Sequence, residues 1–156
     1  MSSPFEEILE GVTLQRPAPG RRHELICARL HDVLRASVAN LASARLLTPR
    51  EPVALANHTT VRPDAALVTT ANNRLWLAVE IVSSDDHRVD TVVKKQIYEN
   101  FRLPRLWMID PRYDNVEIYH ATQYGLTLKA ILAGRESVTE QLLPEFHLVV
   151  ADLFAD

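Results

Sequence analysis

The chain predicts an α/β fold of the α+β kind: a mixed central sheet flanked by helices, with an antiparallel extension, in a single domain over residues 1–156. Three observations carry this expectation. Leu75 to Ser83 is apolar on both alternations except for one carboxylate, the pattern of a strand buried on both faces. A charged, helix-periodic segment from about Asp86 to Phe101 follows it and leads into the short apolar stretch Leu106 to Ile109, so strand, helix and strand succeed one another as in a crossover unit. Beyond Val116 the segments alternate and are separated by turn residues, as antiparallel neighbours do.

Glu6 to Pro19 holds two short extended pieces around the turn dipeptide Glu10-Gly11 and closes in Pro17-Ala18-Pro19, which cannot continue a regular element; a small hairpin or edge strand is expected. From Arg21 to about Leu41, the residues Ile26, Leu30, Val33, Leu34, Ser37 and Leu41 recur at helical spacing, giving an amphipathic helix that covers one face of the sheet. Arg45 to Leu47 and Val53 to Ala56 are strand candidates, separated by prolines that forbid a central ladder position. Val61 to Thr69 reads as one strand with Pro63 near its start, and Asn72-Asn73 turns the chain into Leu75 to Ser83.

Ser84, Asp85 and Asp86 suit the N-cap and first turn of the next helix, where short side-chain oxygens meet free N–H groups. In that helix Val89, Val93 and Ile97 form one stripe, expected to be buried, and Asp90, Lys94, Tyr98 and Phe101 form the adjoining one. Lys94 therefore borders the buried face, while Lys95 points about 100° further round. Pro104 ends the helix and Asp110-Pro111 stops the following strand. Val116 to Ala121, Leu126 to Leu132 and the segment after Gly134 extend the antiparallel part, and the stretch from Leu142 to Phe154 closes the chain with apolar anchors.

A chain of 156 residues can bury a core without staples. No run approaches the roughly 18 apolar residues of a membrane span, and the first residues lack a basic start and an apolar h-region. A cytoplasmic protein without membrane contact is the default expectation. Cys27 is the one cysteine and falls within a helical pattern, so it reads as core packing, and no Cys/His spacing of a zinc site occurs. The formal charge of −3 argues against non-specific coating of nucleic acid, but the cations are unevenly spread. Arg16, Arg21, Arg22 and Arg29 gather near the amino end, and Arg88, Lys94, Lys95, Arg102, Arg105 and Arg112 around the central stretch.

Glu80 is the residue that calls for chemistry. An ionised carboxylate in a buried strand costs several kcal/mol, roughly, unless a cation or donors meet it, and Asp64 and Lys94 are the candidates to complete a site. If the strands holding Asp64 and Glu80 are neighbours, the two carboxylates can face each other, with Ala78 leaving room and Val82 on the same face. Two carboxylates about 4 Å apart repel by about 4 kcal/mol at an effective dielectric near 20, and a hard divalent cation such as Mg²⁺ removes that penalty. Lys94 would then orient or deprotonate an attacking water, or stabilise a phosphorane. In the plainer alternative Glu80 simply ion-pairs with Lys94 and Asp64 caps a turn after Pro63.

Arg62-Pro63-Asp64, then Val79-Glu80-Ile81-Val82-Ser83, then Asp90-x-x-x-Lys94-x-x-x-Tyr98, then Trp107-Met108-Ile109-Asp110-Pro111 resemble the successive motifs of the Uma-two family of restriction endonuclease-like proteins, a branch of the PD-(D/E)xK nuclease superfamily. Pro19 to Leu34, with His23 near the helix start, resembles the family's opening, and Leu143-Pro144-Glu145-Phe146 with Asp152-Leu153-Phe154 its tail, so the likeness spans nearly the whole chain. It implies a restriction-endonuclease-like sheet and metal-dependent hydrolysis of phosphodiester bonds, with DNA the expected substrate. The cofactor would be Mg²⁺, with Mn²⁺ as a substitute, and a homodimer is compatible with it. Asp64, Glu80 and Lys94 would be catalytic, the two acids as metal ligands. In the wider superfamily the lysine lies two residues after the acid, where Val82 stands here, and the branch supplies it from the following helix.

Arg21, Arg22, Lys95, Arg102 and Arg105 are the candidate phosphate contacts, and His23, Ser83 and Tyr98 the candidate supporting residues. The chain departs from the family pattern at Ser83-Ser84, where Ser-Pro is usual, at Asn100 to Leu103, where a glycine is missing, and at Arg105-Leu106-Trp107; these bear on turn geometry and substrate choice. Two other classes are weighed against the nuclease. A hydrolase built on Ser83 or Ser84 with His87 lacks the Gly-x-Ser-x-Gly frame of a nucleophile elbow. A catalytically inactive nucleic-acid-binding or interaction module of the same fold is the alternative that metal titration would separate.

Overall fold

The computed structural model describes residues 2–156. Strands β1 (Phe5–Leu9) and β2 (Val12–Arg16) form the expected hairpin, Ile8 opposite Thr13, with Glu10 (φ 52°) and Gly11 (φ 84°) supplying the two left-handed positions of its turn. Helix α1 (Arg21–Val38) follows, then β3 (Ala44–Leu46), β4 (Val53–Leu55) and β5 (Thr59–Val61). Residues 61–69 are not one strand. Pro63 has no N–H for a ladder, and the chain changes sheets at Arg62-Pro63-Asp64, so that β5 ends before it and β6 (Ala65–Thr69) begins after it.

The central strand β7 spans Leu75–Ile81 and every residue in it is buried, as the double-sided apolar run implies. The crossover is a π-helical segment, Val89–Lys94, running into α2 (Lys95–Phe101). Arg102 closes α2 at φ 63°, and the backbone N–H of Leu103 donates to the carbonyl of Tyr98. Arginine thus fills the left-handed cap that glycine usually takes, at a cost of about 1 kcal/mol. Then come β8 (Arg105–Asp110), β9 (Asn115–Thr122), β10 (Gly125–Ala133), β11 (Ser137–Glu140), β12 (Leu143–Val149) and α3 (Val150–Phe154).

The main sheet has six strands in the order β10-β9-β8-β7-β6-β3, with β7 and β8 parallel and the other neighbours antiparallel. A four-stranded sheet, β2-β1-β5-β4, packs beside it, and β11 pairs with β12 apart from both. The segment after Gly134 therefore forms its own ribbon rather than lengthening the main sheet. One face of the main sheet, Val79, Ile81, Trp107 and Ile109, packs on Ile26, Leu30 and Leu34 of α1 and on Phe146 and Leu153. The other face, Ala78, Val82, Leu106 and Met108, meets Ile97 and Tyr98 and, from the small sheet, Leu9 and Val61. No described helix is long and apolar enough to cross a membrane.

The crossover helix departs from its expected phase. Asp90 and Lys94 are buried, at 2% and 1% exposure, whereas Val92 and Val93 are exposed at 50% and 38%. Charge complementarity inside the molecule outweighs the valine stripe. The helix opens at His87, directly after Ser84-Asp85-Asp86 as expected, but Asp86 turns its carboxylate to Arg16, and among the described residues no side chain of these three bonds a helix N–H.

Candidate active site

Antiparallel pairing of β6 with β7 puts Ala65 opposite Val79. Asp64 stands one residue before that pair and Glu80 one residue after it, so the register brings both acids to the same end of the two strands. Parallel pairing sets Glu80 beside Met108, with Asp110-Pro111 just beyond. Here a cavity of about 460 Å³ opens, lined among others by Asp64, Glu80, Ser83, Asp90 and Lys94.

Asp64 is fixed from three sides. Its Oδ2 accepts the Ile81 backbone N–H at 2.7 Å and its Oδ1 accepts Arg50 Nη1 at 2.9 Å, with His23 Nε2 3.5 Å away. The Asp64 carbonyl faces His31 Nε2 at 2.8 Å and accepts a weak bond from the Cys27 thiol at 3.6 Å. Burial works against the Asp64 charge, but His23, the Ile81 N–H and Arg50 overcome it and hold its pKa below the ordinary value. His23 is shifted the other way: burial opposes its charge, and the Asp64 carboxylate outweighs burial and raises its pKa. The buried Cys27 thiol is pushed up to about 12 by burial, then by Asp64, which favours its protonated form.

Glu80 lies on the opposite face of β7 from Ile81, in a second charged network. Its Oε2 accepts Tyr98 Oη–H at 2.5 Å, and Lys94 Nζ lies 2.7 Å from the same oxygen as an ion pair. Among the described residues no hydrogen bond reaches its Oε1. Lys94 Nζ also lies 2.7 Å from Glu7 Oε2. Glu7, wholly buried, accepts Arg16 Nη1 at 2.5 Å and the Arg62 backbone N–H at 2.6 Å. Arg16 continues the network to Asp90 at 2.9 Å and Asp86 at 2.7 Å, and the second oxygen of Asp90 accepts the Ser83 N–H at 3.0 Å.

Burial, with Glu7, Asp90 and Asp64 nearby, pushes Glu80 up to about 8 despite Lys94. Asp90 is raised by burial as well, against Lys94 and Arg16. For Lys94 burial favours the neutral amine, yet Glu80, Glu7 and Asp90 reverse this and keep it an ammonium. Tyr98 is held neutral by burial and the same acids. A carboxylate left with so little compensation is one that an added cation would stabilise. Among the described residues no group of three or more His, Cys, Asp or Glu side chains could cage a metal. A two-carboxylate set with water completing the shell suits Mg²⁺; Asp64, whose oxygens also accept Arg50 and the Ile81 N–H, and Glu80, whose Oε1 accepts no hydrogen bond among the described residues, are the two that could supply it.

Of the candidate supporting residues, His23 and Ser83 line the cavity and Tyr98 holds Glu80. The Ser83 hydroxyl accepts the Asp85 N–H at 3.3 Å, shaping the loop, and no described hydrogen bond joins it to His87. Of the candidate phosphate contacts, Arg21 and Arg22 line the cavity, Arg22 also pairing with Asp114 at 2.7 Å. Lys95, Arg102 and Arg105 do not line it. Lys95 lies over the Tyr119 ring at 4.6 Å, Arg102 caps α2, and Arg105 starts β8 at the other end of the strand, paired with Glu140 at 2.7 Å. Glu7, Arg16 and Arg50 were not legible as site residues, although Glu7 alternates with buried Leu9 in the hairpin and so shares its inward face.

A family model described as Uma2, putative restriction endonuclease, matches residues 3–151. Among solved structures, a putative nuclease belonging to DUF820 from Anabaena variabilis ATCC 29413 superposes with a TM-score of 0.81 at 20% sequence identity, over 97% of this chain and 90% of that one. The likeness to that structure is one of fold. No curated protein matches.

Proposed function

The chain belongs to the Uma2 family, and from that membership and the cavity residues we propose a nuclease that hydrolyses phosphodiester bonds with Mg²⁺, DNA being the substrate and Mn²⁺ a substitute metal. The observation that carries this reading is Glu80, a buried carboxylate with one oxygen tied to Lys94 and Tyr98, the other without a donor among the described residues, on a cavity that Asp64 also lines. Asp64 and Glu80 would hold the ion, which supplies Lewis acidity toward a phosphoryl oxygen and a more acidic water. The side chains do the rest. Lys94 has three N–H donors; one goes to Glu7, and the ion pair with Glu80 keeps the ammonium beside the cavity with donors left for a phosphate oxygen or the attacking water. As a lasting ammonium it stabilises charge developing on the phosphorus centre rather than removing a proton. Tyr98 fixes Glu80, and Arg21 and Arg22 at the cavity wall suit the backbone of the nucleic acid.

One observation favours a second reading, a nucleic-acid-binding module that does not cleave: both oxygens of Asp64 are already engaged, by Arg50 and by the Ile81 N–H. Incubation with single-stranded, duplex and branched nucleic acids in Mg²⁺, Mn²⁺ or chelator separates the two. Cleavage that chelator abolishes and that Asp64→Asn and Glu80→Gln remove supports the nuclease. Binding that ignores chelator and yields no product supports the module.

A further inference from the structure

We infer that Glu7 is a positioning residue for the Lys94 ammonium, which makes the amino-terminal hairpin a working part of the cleavage site; this rests on the nuclease reading above. Glu7 comes from the four-stranded sheet, whereas Glu80 and Lys94 belong to the main sheet and its crossover. It does not line the cavity, although Lys94, Glu80 and Arg16 do, so it stands behind the ammonium and away from any substrate.

The geometry is that of a two-point mount. Lys94 Nζ is 2.7 Å from Glu7 Oε2 and 2.7 Å from Glu80 Oε2. The hydrogen bond to Glu7 assigns one N–H direction, and the Glu80 charge, ion-paired at the same distance, draws the ammonium to the cavity side. Held by Glu80 alone, it could turn about a single bond on a flexible four-carbon stem. Arg16 adds a second tie between hairpin and π-helical segment, joining Glu7 at 2.5 Å to Asp90 at 2.9 Å, one turn before Lys94.

Every partner of Glu7 is a donor: Arg16, Lys94 and the Arg62 N–H. A carboxylate alone meets all three, because a glutamine in either orientation would turn its own NH₂ toward another donor. Stability does not explain the arrangement. A buried ion pair is commonly no more stabilising than apolar residues of the same volume, so its value here lies in where it fixes the charge.

Glu7→Gln is the test, on the full chain. Turnover should fall by roughly 30- to 100-fold, with KM and calorimetric Mg²⁺ affinity nearly unchanged, as for loss of an aligned charge that acts only in the transition state. Glu7→Asp, with the charge restored one methylene short, should recover part of the rate. In a Lys94→Ala background Glu7→Gln should cost nothing further; an equal cost there overturns the inference.

A second readout needs neither metal nor substrate. The chain has three lysines, Lys94, Lys95 and Lys129. With ¹⁵N on their side chains, the Lys94 ammonium should give a slowly exchanging proton signal that Glu7→Gln broadens away and Glu7→Asp weakens. A signal absent from the unaltered protein, or unchanged in these variants, refutes the mount. Should Glu7→Gln not fold, Glu7→Asp alone decides by the same spectrum. If the unaltered protein cleaves nothing, the nuclease reading fails while the spectrum still tests the mount.

Discussion

On the α1 side of the main sheet, Val79 and Ile81 of β7 meet Ile26, Leu30 and Leu34, and Trp107 packs against Phe146 with ring centroids 5.2 Å apart and planes tilted by 46°. On the opposite side of the same strand Glu80 meets Lys94 and Tyr98, and behind them stand Glu7, Arg16 and Asp90. Both regions are buried, but they hold together differently. Apolar contact is additive and indifferent to orientation, so any well-shaped set of residues will do. The charged side works only if each donor finds its acceptor, and removal of one partner strands another in a medium that cannot solvate it. The first side keeps the chain folded; the second fixes where charges sit.

That contrast can be tested in order of expected effect. Trp107→Ala should cost about 3–5 kcal/mol of unfolding free energy in denaturant titration, the range for emptying an aromatic site in a core, and should leave the metal affinity of the folded fraction intact. Lys94→Ala should invert this pattern, keeping metal binding while cleavage falls by roughly 10² or more. Lys95→Ala should change little, because that ammonium lies over Tyr119. Adding Val82→Lys to Lys94→Ala returns an ammonium to the Glu80 face, and partial recovery of cleavage would mark the two positions as equivalent. Normal cleavage by Lys94→Ala would erase the functional difference between the two sides.

The charged side should also answer to pH where the apolar side does not. Burial raises Glu80 to about 8 from a reference of 4.5, so its neutral form is the one that folding favours. Its contribution is present in full below the unfolded value and is lost as pH rises toward about 8; metal-free protein should therefore lose stability across that window. Glu80→Gln should flatten the slope, and Mg²⁺, which prefers the ionised form, should oppose it. Asp64 has the reverse sign: its lowered pKa gives stability that is present at neutral pH and lost in acid. Thermal melts of the two variants with and without Mg²⁺ measure both. The smallest effect is at the rim. Arg21→Ala should reduce the salt slope of nucleic-acid binding by about one unit, whereas Arg105→Ala, remote and paired with Glu140, should leave it unchanged.

The same contrast accounts for what was legible in the sequence. The α1 stripe, the double-sided strand and the crossover could be read because apolar periodicity is local and follows helix or strand geometry. Asp64 and Glu80 could be brought together by strand register, and the motif order supplied Lys94. The hairpin's part could not be read: Glu7 meets Lys94 across 87 residues and Arg16 meets Asp90 across 74, and no local pattern encodes such pairs. They also shifted the helical phase: of the expected stripe Val89, Val93 and Ile97, Ile97 is buried but Val93 is exposed, because the charges of Asp90 and Lys94 take the inward positions. The break at Arg62-Pro63-Asp64 was hidden for a related reason, because Pro63 is tolerated at a strand start as readily as between two strands.

That 87-residue separation has a consequence during synthesis. At roughly 5–20 residues per second, the hairpin is made seconds before Lys94. Throughout that wait its inward face offers Glu7 beside Leu9 in place of an unbroken apolar strip. A carboxylate in water is at ease and repels its like, so the unfinished chain carries its own protection against sticking to neighbours. The residue that pairs with the ammonium in the finished protein thus stands as a solvated charge on the hairpin until the ammonium is made.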